Sequence, residues 1–320
     1  MRLNMKEKSA FAQGCVLLES ESSCRGSLRA FTLVELIVVI SIITLLMSIS
    51  VPVFSKVRQN ARWIITMNNQ REIVASLNAF ACNNDNSYPD STATINFGSR
   101  RWSWQAPTMM TAAEVRPGKQ NRAMSSYLYD YIDNADVLFC PDAPHKNEFL
   151  QQAWEAGEDW NNPLTGFSCD QFSGVYCYYW NYIGYLGNGK PPFRGPRGVY
   201  DNGTESTLLV SCYLGYDYYR SPDTFVSCEK FDGAEISPGT EVSSDLWTRG
   251  DPDMSMDVNS LNIRLHGGYV DGHVESYSPS ETVRMNVAGS TDGSQPYYNG
   301  FLGPGLFFIP EKALPQRICR

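Results

Sequence analysis

A chain of 320 residues with 34 acidic against 26 basic side chains carries a formal charge of −8. The charge is uneven: residues 1–30 and 31–80 each sum to +2, which leaves −12 on residues 81–320. So acidic a C-terminal part argues against nucleic-acid binding, which needs clustered cations facing phosphates. No G-x-S-x-G, HExxH or P-loop pattern occurs either, so no catalytic signature stands out and the chain does not read as an enzyme.

Residues 1–30 are a basic segment holding Arg2, Lys6, Lys8, Arg25 and Arg29, and they run directly into an apolar stretch of 24 residues, Phe31 to Phe54. About 20 apolar residues suffice for a helix to cross a ~30 Å hydrocarbon layer, which makes this stretch a candidate membrane span. Its only charge is Glu35. A carboxylate in such a span costs roughly 3 kcal/mol unless something pairs with it, and residues of this kind are usually functional. Pro52 has no backbone N–H and clashes with the carbonyl four residues earlier, so a kink is expected near the end of the span. Charge alone leaves the orientation open, because Lys56, Arg58, Arg62 and Arg71 follow the span almost as densely as basic residues precede it. A plain signal anchor with a tolerated Glu is the bland alternative. A cleaved secretory signal fits less well, since the stretch exceeds the usual h-region and no A-x-A-like site follows.

The helical pattern continues in amphipathic form over 55–86. Val57, Ala61 and Ile64, then Ile73, Leu77 and Phe80, recur at helical spacing, and this stripe is expected to pack on a sheet. Asn83-Asn84-Asp85-Asn86 should stop it, because these side chains compete for backbone hydrogen bonds. Beyond lies a globular part, 87–320, rich in aromatics, Gly, Pro and Asn. Candidate strands are Gly174–Leu186, Ser206–Leu214, Thr224–Phe231 and Gly268–Tyr277, with short helices at Asn121–Ile132 and Lys146–Ala156. Pro191–Thr204 and Gly289–Gly305 look like loop insertions. The expected fold is α+β: a long N-terminal helix, half apolar and half amphipathic, packed on an antiparallel sheet with long loops.

Several clusters could carry chemistry. Nine cysteines are present, with Cys15 and Cys24 in the basic segment and no C-x-x-C pair, so a zinc ribbon is not supported. In an exported domain disulfides are natural, and Cys169 with Cys177 and Cys212 with Cys228 are the closest pairs in sequence. The competing reading is small buried apolar residues. In Leu265-His266-Gly267-Gly268-Tyr269-Val270-Asp271-Gly272-His273-Val274, the Asp-Gly pair signals a type I′ hairpin. His266, Asp271 and His273 could instead converge on a metal. Strand alternation would turn Asp271 away from a partner two residues on, which weighs against that. Asp251, Asp253 and Asp257 are spaced as oxygen ligands for calcium, although Met256 stands where an EF-hand needs Gly and no closing Glu follows. His145 after Cys140-Pro141-Asp142 is only a weak Cys/His pairing, in a stretch stiffened by two prolines. Trp102 and Trp104, with Tyr176, Tyr178, Tyr179, Trp180 and Tyr182, form either a glycan-stacking face or a core.

The basic segment running into Phe31-Thr32-Leu33-Val34-Glu35-Leu36 and its apolar span resembles the prepilin processing site of type IV pilins and type II secretion pseudopilins. The resemblance covers roughly residues 29–89, including Tyr88-Pro89, which matches a Tyr-Pro that often closes this helix. It implies a pilin-like fold and cleavage by a prepilin peptidase between Ala30 (where the family most often has Gly) and Phe31. Phe31 would then be the methylated N-terminus and Glu35 the carboxylate that meets a neighbouring subunit's amino group. It also implies a cytoplasmic leader over 1–30, a single inner-membrane helix over 31–54 and an exported bulk, with other pilin-like subunits and inner-membrane lipid as partners and no nucleic acid. The His-Gly-Gly…Asp-Gly-His-Val segment resembles a C-terminal signature of a bacterial subgroup, which usually has nine residues between the first His and the Asp; here there are four. Cys140-Pro141 resembles another element of such proteins. Two functions are therefore expected: a structural pseudopilin-like subunit, or an envelope-anchored binding module for polysaccharide or another extracellular ligand. Cofactors are not expected beyond possible calcium at the three aspartates.

Overall fold

A computed structural model describes residues 31–97, 100–103, 107–112, 122–141, 149–161, 163, 172–187, 190–200, 205–216, 263–288, 293 and 306–315. Helix α1, Leu33–Asn83, runs unbroken for 51 residues, with Pro52 inside it. The chain divides into two units between Lys56 and Val57.

In the first unit the helix carries Leu, Ile and Val on every side, and all its apolar side chains through Phe54 are exposed. Its few hydroxyls are satisfied within the helix. Ser41, Ser48 and Ser50 donate to the carbonyls of Val38, Leu45 and Leu46 at 2.7–2.8 Å, so none needs an outside partner. An apolar helix of this length can cross a membrane, and none of its most apolar window is buried in protein.

In the second unit α1 buries one stripe: Thr66, Gln70, Ile73, Val74, Ser76, Leu77 and Ala81. The expected stripe is correct only in its second half. Val57 and Ile64 stay 57% and 58% exposed, and Ala61 is exposed as well. The reason is dimensional. Gln70, Val74 and Asn78 lie successively over His266, Gly268 and Val270. So α1 runs along the strand Leu265–Tyr269, whose five residues at ~3.3 Å each cover only about a dozen residues of helix at 1.5 Å per residue. Asp85 and Asn86 then take positive φ (52° and 58°) and turn the chain out of the helix.

The strands follow in chain order: β1 Thr94–Phe97, β2 Arg100–Ser103, β3 Met109–Ala112, β4 Arg122–Ala123, β5 Phe172–Ser173, β6 Tyr176–Tyr178, β7 Ile183–Tyr185, β8 Phe193–Arg194, β9 Leu208–Cys212, β10 Gly215–Tyr216, β11 Leu265–Tyr269, β12 Val274–Tyr277, β13 Thr282–Val287 and β14 Leu306–Pro310. Two short helices, α2 Ser125–Leu128 and α3 Leu150–Ala156, lie between β4 and β5; α2 falls in the middle of the expected Asn121–Ile132 and α3 forms the C-terminal part of Lys146–Ala156. All strand pairings among the described residues are antiparallel. The main sheets are β12-β11-β9-β6 and β10-β14-β13-β7-β8, beside the smaller β1-β2 and β4-β3-β5. The described fold is thus α+β.

Two cores result. On one face of the four-stranded sheet, Ile73, Val74, Leu77 and Ala81 of α1 meet Tyr176, Tyr178, Val210 and Cys212. On the other, Leu208 and Tyr269 join Tyr179, Tyr182, Phe193, Met285, Phe307 and Ile309. Burial on both faces explains why every residue of β9 and β11 is inside.

Three expectations need correction. Gly174–Leu186 is not one strand but β6 and β7, in different sheets, separated by a turn in which Asn181 takes φ 53°. Gly268–Tyr277, read both as a strand and as the place of an Asp-Gly hairpin, is the hairpin: the end of β11, the turn and β12. Pro191–Thr204 is not simply an inserted loop, since it supplies β8, paired with β7, and Gly198 bridges to Ser87. Thr224–Phe231 lies outside the described residues.

Candidate assembly helix and the His-Gly-Gly hairpin

At the start of α1, Thr32 is the N-cap and Glu35 stands three residues on. The Thr32 N–H and hydroxyl both donate to Glu35 Oε2, at 2.9 and 2.8 Å, and the Glu35 N–H donates to Thr32 Oγ1 at 3.2 Å. This is a capping box, which satisfies backbone donors that a helix start leaves without partners. Both bonds fall on Oε2, so one carboxylate serves its own helix through a single oxygen. Phe31 precedes the cap and is 71% exposed. Ala30 lies outside the described residues. Pro52 removes the N–H that would reach the Ser48 carbonyl, yet α1 continues through it.

The second site is the hairpin β11–β12. Its turn corrects the expected type I′. Gly272 N–H donates to Tyr269 O at 2.9 Å and Tyr269 N–H to His273 O at 3.0 Å, so the loop has three residues, Val270, Asp271 and Gly272. Only Gly272 has positive φ (88°), as in a type I turn closed by a left-handed bulge residue. Asp271 also does not point away from its partner. Its Oδ1 accepts from His273 N–H at 3.2 Å and contacts the His273 ring at Nδ1. Alternation fails there because Asp271 lies in the turn, where an Asx-type bond to the residue two positions on is natural. The His273 ring stacks on Tyr269, with centroids 4.4 Å apart and planes 6° from parallel.

His266, by contrast, is inside, 1% exposed, and faces α1 in the register row Ser276–His266–Cys212–Tyr176. Its Nδ1 bonds Ser276 Oγ at 2.9 Å. Burial, with a smaller contribution from the Arg264 charge, pushes its pKa down to about 4, so the ring is neutral at pH 7. The structure therefore brings Asp271 and His273 together at an exposed tip and leaves His266 on the helix-facing side of the sheet. Among the described residues no three His, Cys, Asp or Glu side chains are grouped as a metal site.

Gly267 and Gly268 are packing residues. A Cβ on Gly268 would lie 2.9 Å from Val74 Cγ2 and 3.0 Å from Val210 Cγ1, so glycine lets α1 sit directly on the sheet. Polar side chains then fasten the helix down. Gln70 Nε2 donates to His266 O at 3.1 Å, Asn78 Nδ2 to Val270 O at 2.9 Å, and Tyr88 OH to Asn78 Oδ1 at 2.7 Å. Asn181 Nδ2 holds the carbonyls of Tyr88 and Pro89 at 3.1 and 2.8 Å. Sequence reasoning missed Gln70, Asn78 and Asn181. Asn78 and Asn181 interrupt otherwise apolar or aromatic runs, whereas Gln70 lies in the polar run Asn68-Asn69-Gln70-Arg71-Glu72 and carries no local signal of its burial.

The aromatic run Tyr176, Tyr178, Tyr179, Trp180 and Tyr182 is at most 3% exposed and forms core, not a glycan-stacking face. Trp104 lies outside the described residues. So do Asp251, Asp253 and Asp257, His145, and Cys169 and Cys228, one member of each cysteine pair singled out above. Cys140 and Cys212 are buried against α1, in contact with Thr66 Oγ1 at 3.3 Å and Gln70 Nε2 at 3.5 Å. The chain matches no family model, no curated protein and no solved structure.

Proposed function

We propose that the protein is a pseudopilin-like structural subunit, processed by a prepilin peptidase between Ala30 and Phe31 and assembled through α1 into a type II secretion or type IV pilus-like fibre. The observation that carries this reading is the first half of α1: a helix exposed all round, apolar all round, and opened by Phe31-Thr32-Leu33-Val34-Glu35. Such a surface suits lipid before assembly and neighbouring helices after it. The domain would sit outside the inner membrane and the leader in the cytoplasm. The alternative, an envelope-anchored binding module for polysaccharide or another extracellular ligand, loses one support, because the tyrosine-rich run is core.

Glu35 is the discriminating residue. Its Oε1 stays available while Oε2 holds the cap, and in an apolar phase the carboxylate calls for a cation, such as the α-amino group of an adjacent subunit. Glu35→Leu removes a charge, so membrane insertion should persist while fibre assembly fails. Counting fibres and membrane-fraction protein for this variant tests the reading, and fibres at the wild-type level would overturn it.

A further inference from the structure

The joint between α1 and the four-stranded sheet contains two buried polar atoms with no protein partner: Gln70 Oε1 and His266 Nε2. Both residues are essentially inaccessible, at 0% and 1% exposure. Buried polar atoms left unsatisfied cost about 1–3 kcal/mol each, so two in one joint require an explanation.

Neither can be removed by reassigning atoms. The Gln70 amide reaches the His266 carbonyl at 3.1 Å and the Cys212 sulfur at 3.5 Å through the same atom. That atom must be the donor nitrogen, since two carbonyl oxygens would repel, so Oε1 is left as an acceptor turned elsewhere. His266 already uses Nδ1 on Ser276 Oγ. The two orphans belong to residues already joined, since the Gln70 amide bonds the His266 carbonyl. The Gln70 amide touches both His266 O and Cys212 Sγ, and Gly268, two residues along β11, is closed over by Val74 and Val210.

We propose that one buried water molecule bridges Gln70 Oε1 and His266 Nε2 and seals the joint between α1 and the sheet. A water supplies two donors and two acceptors and typically makes about three hydrogen bonds in such sites. It can donate to Oε1 and satisfy Nε2 in either tautomer of the neutral ring. The stalk helix is then fastened by a three-part polar lock (amide, water, imidazole) set among apolar contacts, and residues 70 and 266 act as a unit.

The test uses the full chain in detergent. Water–protein cross-relaxation of the His266 ring is readable because the chain has only three histidines. The expected result is a long-lived water at His266, within about 3 Å of both atoms in a crystal structure. Direct contact of Nε2 with Oε1, or a dry joint, would overturn the proposal. Amide exchange in β11 supplies a second readout. Gln70→Met and His266→Phe should each speed exchange by roughly tenfold, and the double variant by much less than the product, because the shared water is lost at the first substitution. Multiplicative effects would contradict a shared water. If a variant fails to fold, the cross-relaxation result on the unaltered chain still decides.

Discussion

Before Lys56, α1 exposes apolar side chains on every side, with Leu45 63% exposed; between Thr66 and Ala81 it turns one stripe inward, and Leu77 there is fully buried. The two regions belong to one continuous helix, so what differs is what each meets: the first is buried against no described residue and the second packs on a sheet. The first satisfies its hydroxyls internally and is long and apolar enough to cross a membrane. The second needs a sheet and recruits polar side chains, Gln70 and Asn78, to fix where the sheet sits. Hydrophobicity alone therefore does not say which half builds the domain; the width of the stripe does.

The largest expected effect breaks this contrast directly. Leu77→Ala should lower domain stability by roughly 2–5 kcal/mol, because a filled core position becomes a cavity. Leu45→Ala should change the domain's stability by less than about 0.5 kcal/mol, since no domain contact is lost. Denaturant melts followed by tryptophan fluorescence compare the two, and equal losses would mean that both halves are structural core.

Gly268→Val comes next. Its Cβ would crowd Val74 and Val210, and overpacking of this kind costs about 1–3 kcal/mol. The same melts should show that loss, and a compensating Val74→Ala should recover part of it. An unaffected Gly268→Val would show that α1 does not rest on β11.

A smaller effect concerns pH. The folded-state pKa of His266 is pushed down to about 4 from 6.5, so the unfolded chain binds the proton first. The contribution of neutral His266 is complete above pH 6.5, is lost progressively as pH falls toward 4, and is level below that. Ring resonances of His266 in the folded chain should hold their neutral positions until about pH 4. Titration near 6.5 would show the ring to be solvated.

How much of this was readable beforehand differs between the same two regions. The apolar half and its stop at Asn83–Asn86 were legible because each is a local pattern with a local cause, whereas the equally local capping box of Thr32 and Glu35 was missed. The hairpin was legible as a hairpin, but its turn was not. Asp-Gly fits two loop lengths, and only the Tyr269–His273 pairing decides between them. Gly174–Leu186 misled for a related reason: a strand buried on both faces shows no alternation, so the break at Asn181 was hidden in a uniform aromatic run. Val57 and Ile64 had the right period and no sheet to meet, which periodicity cannot report. Gln70 and His266 pair across almost two hundred residues, and no local signal encodes that.

The central claim is that α1 is a pilin-type assembly helix, and the most direct measurement is the mass of the N-terminal peptide of the protein extracted from membranes of cells that contain a prepilin peptidase. The account predicts a chain starting at N-methylated Phe31, with residues 1–30 gone. An intact chain still beginning at Met1 would contradict it.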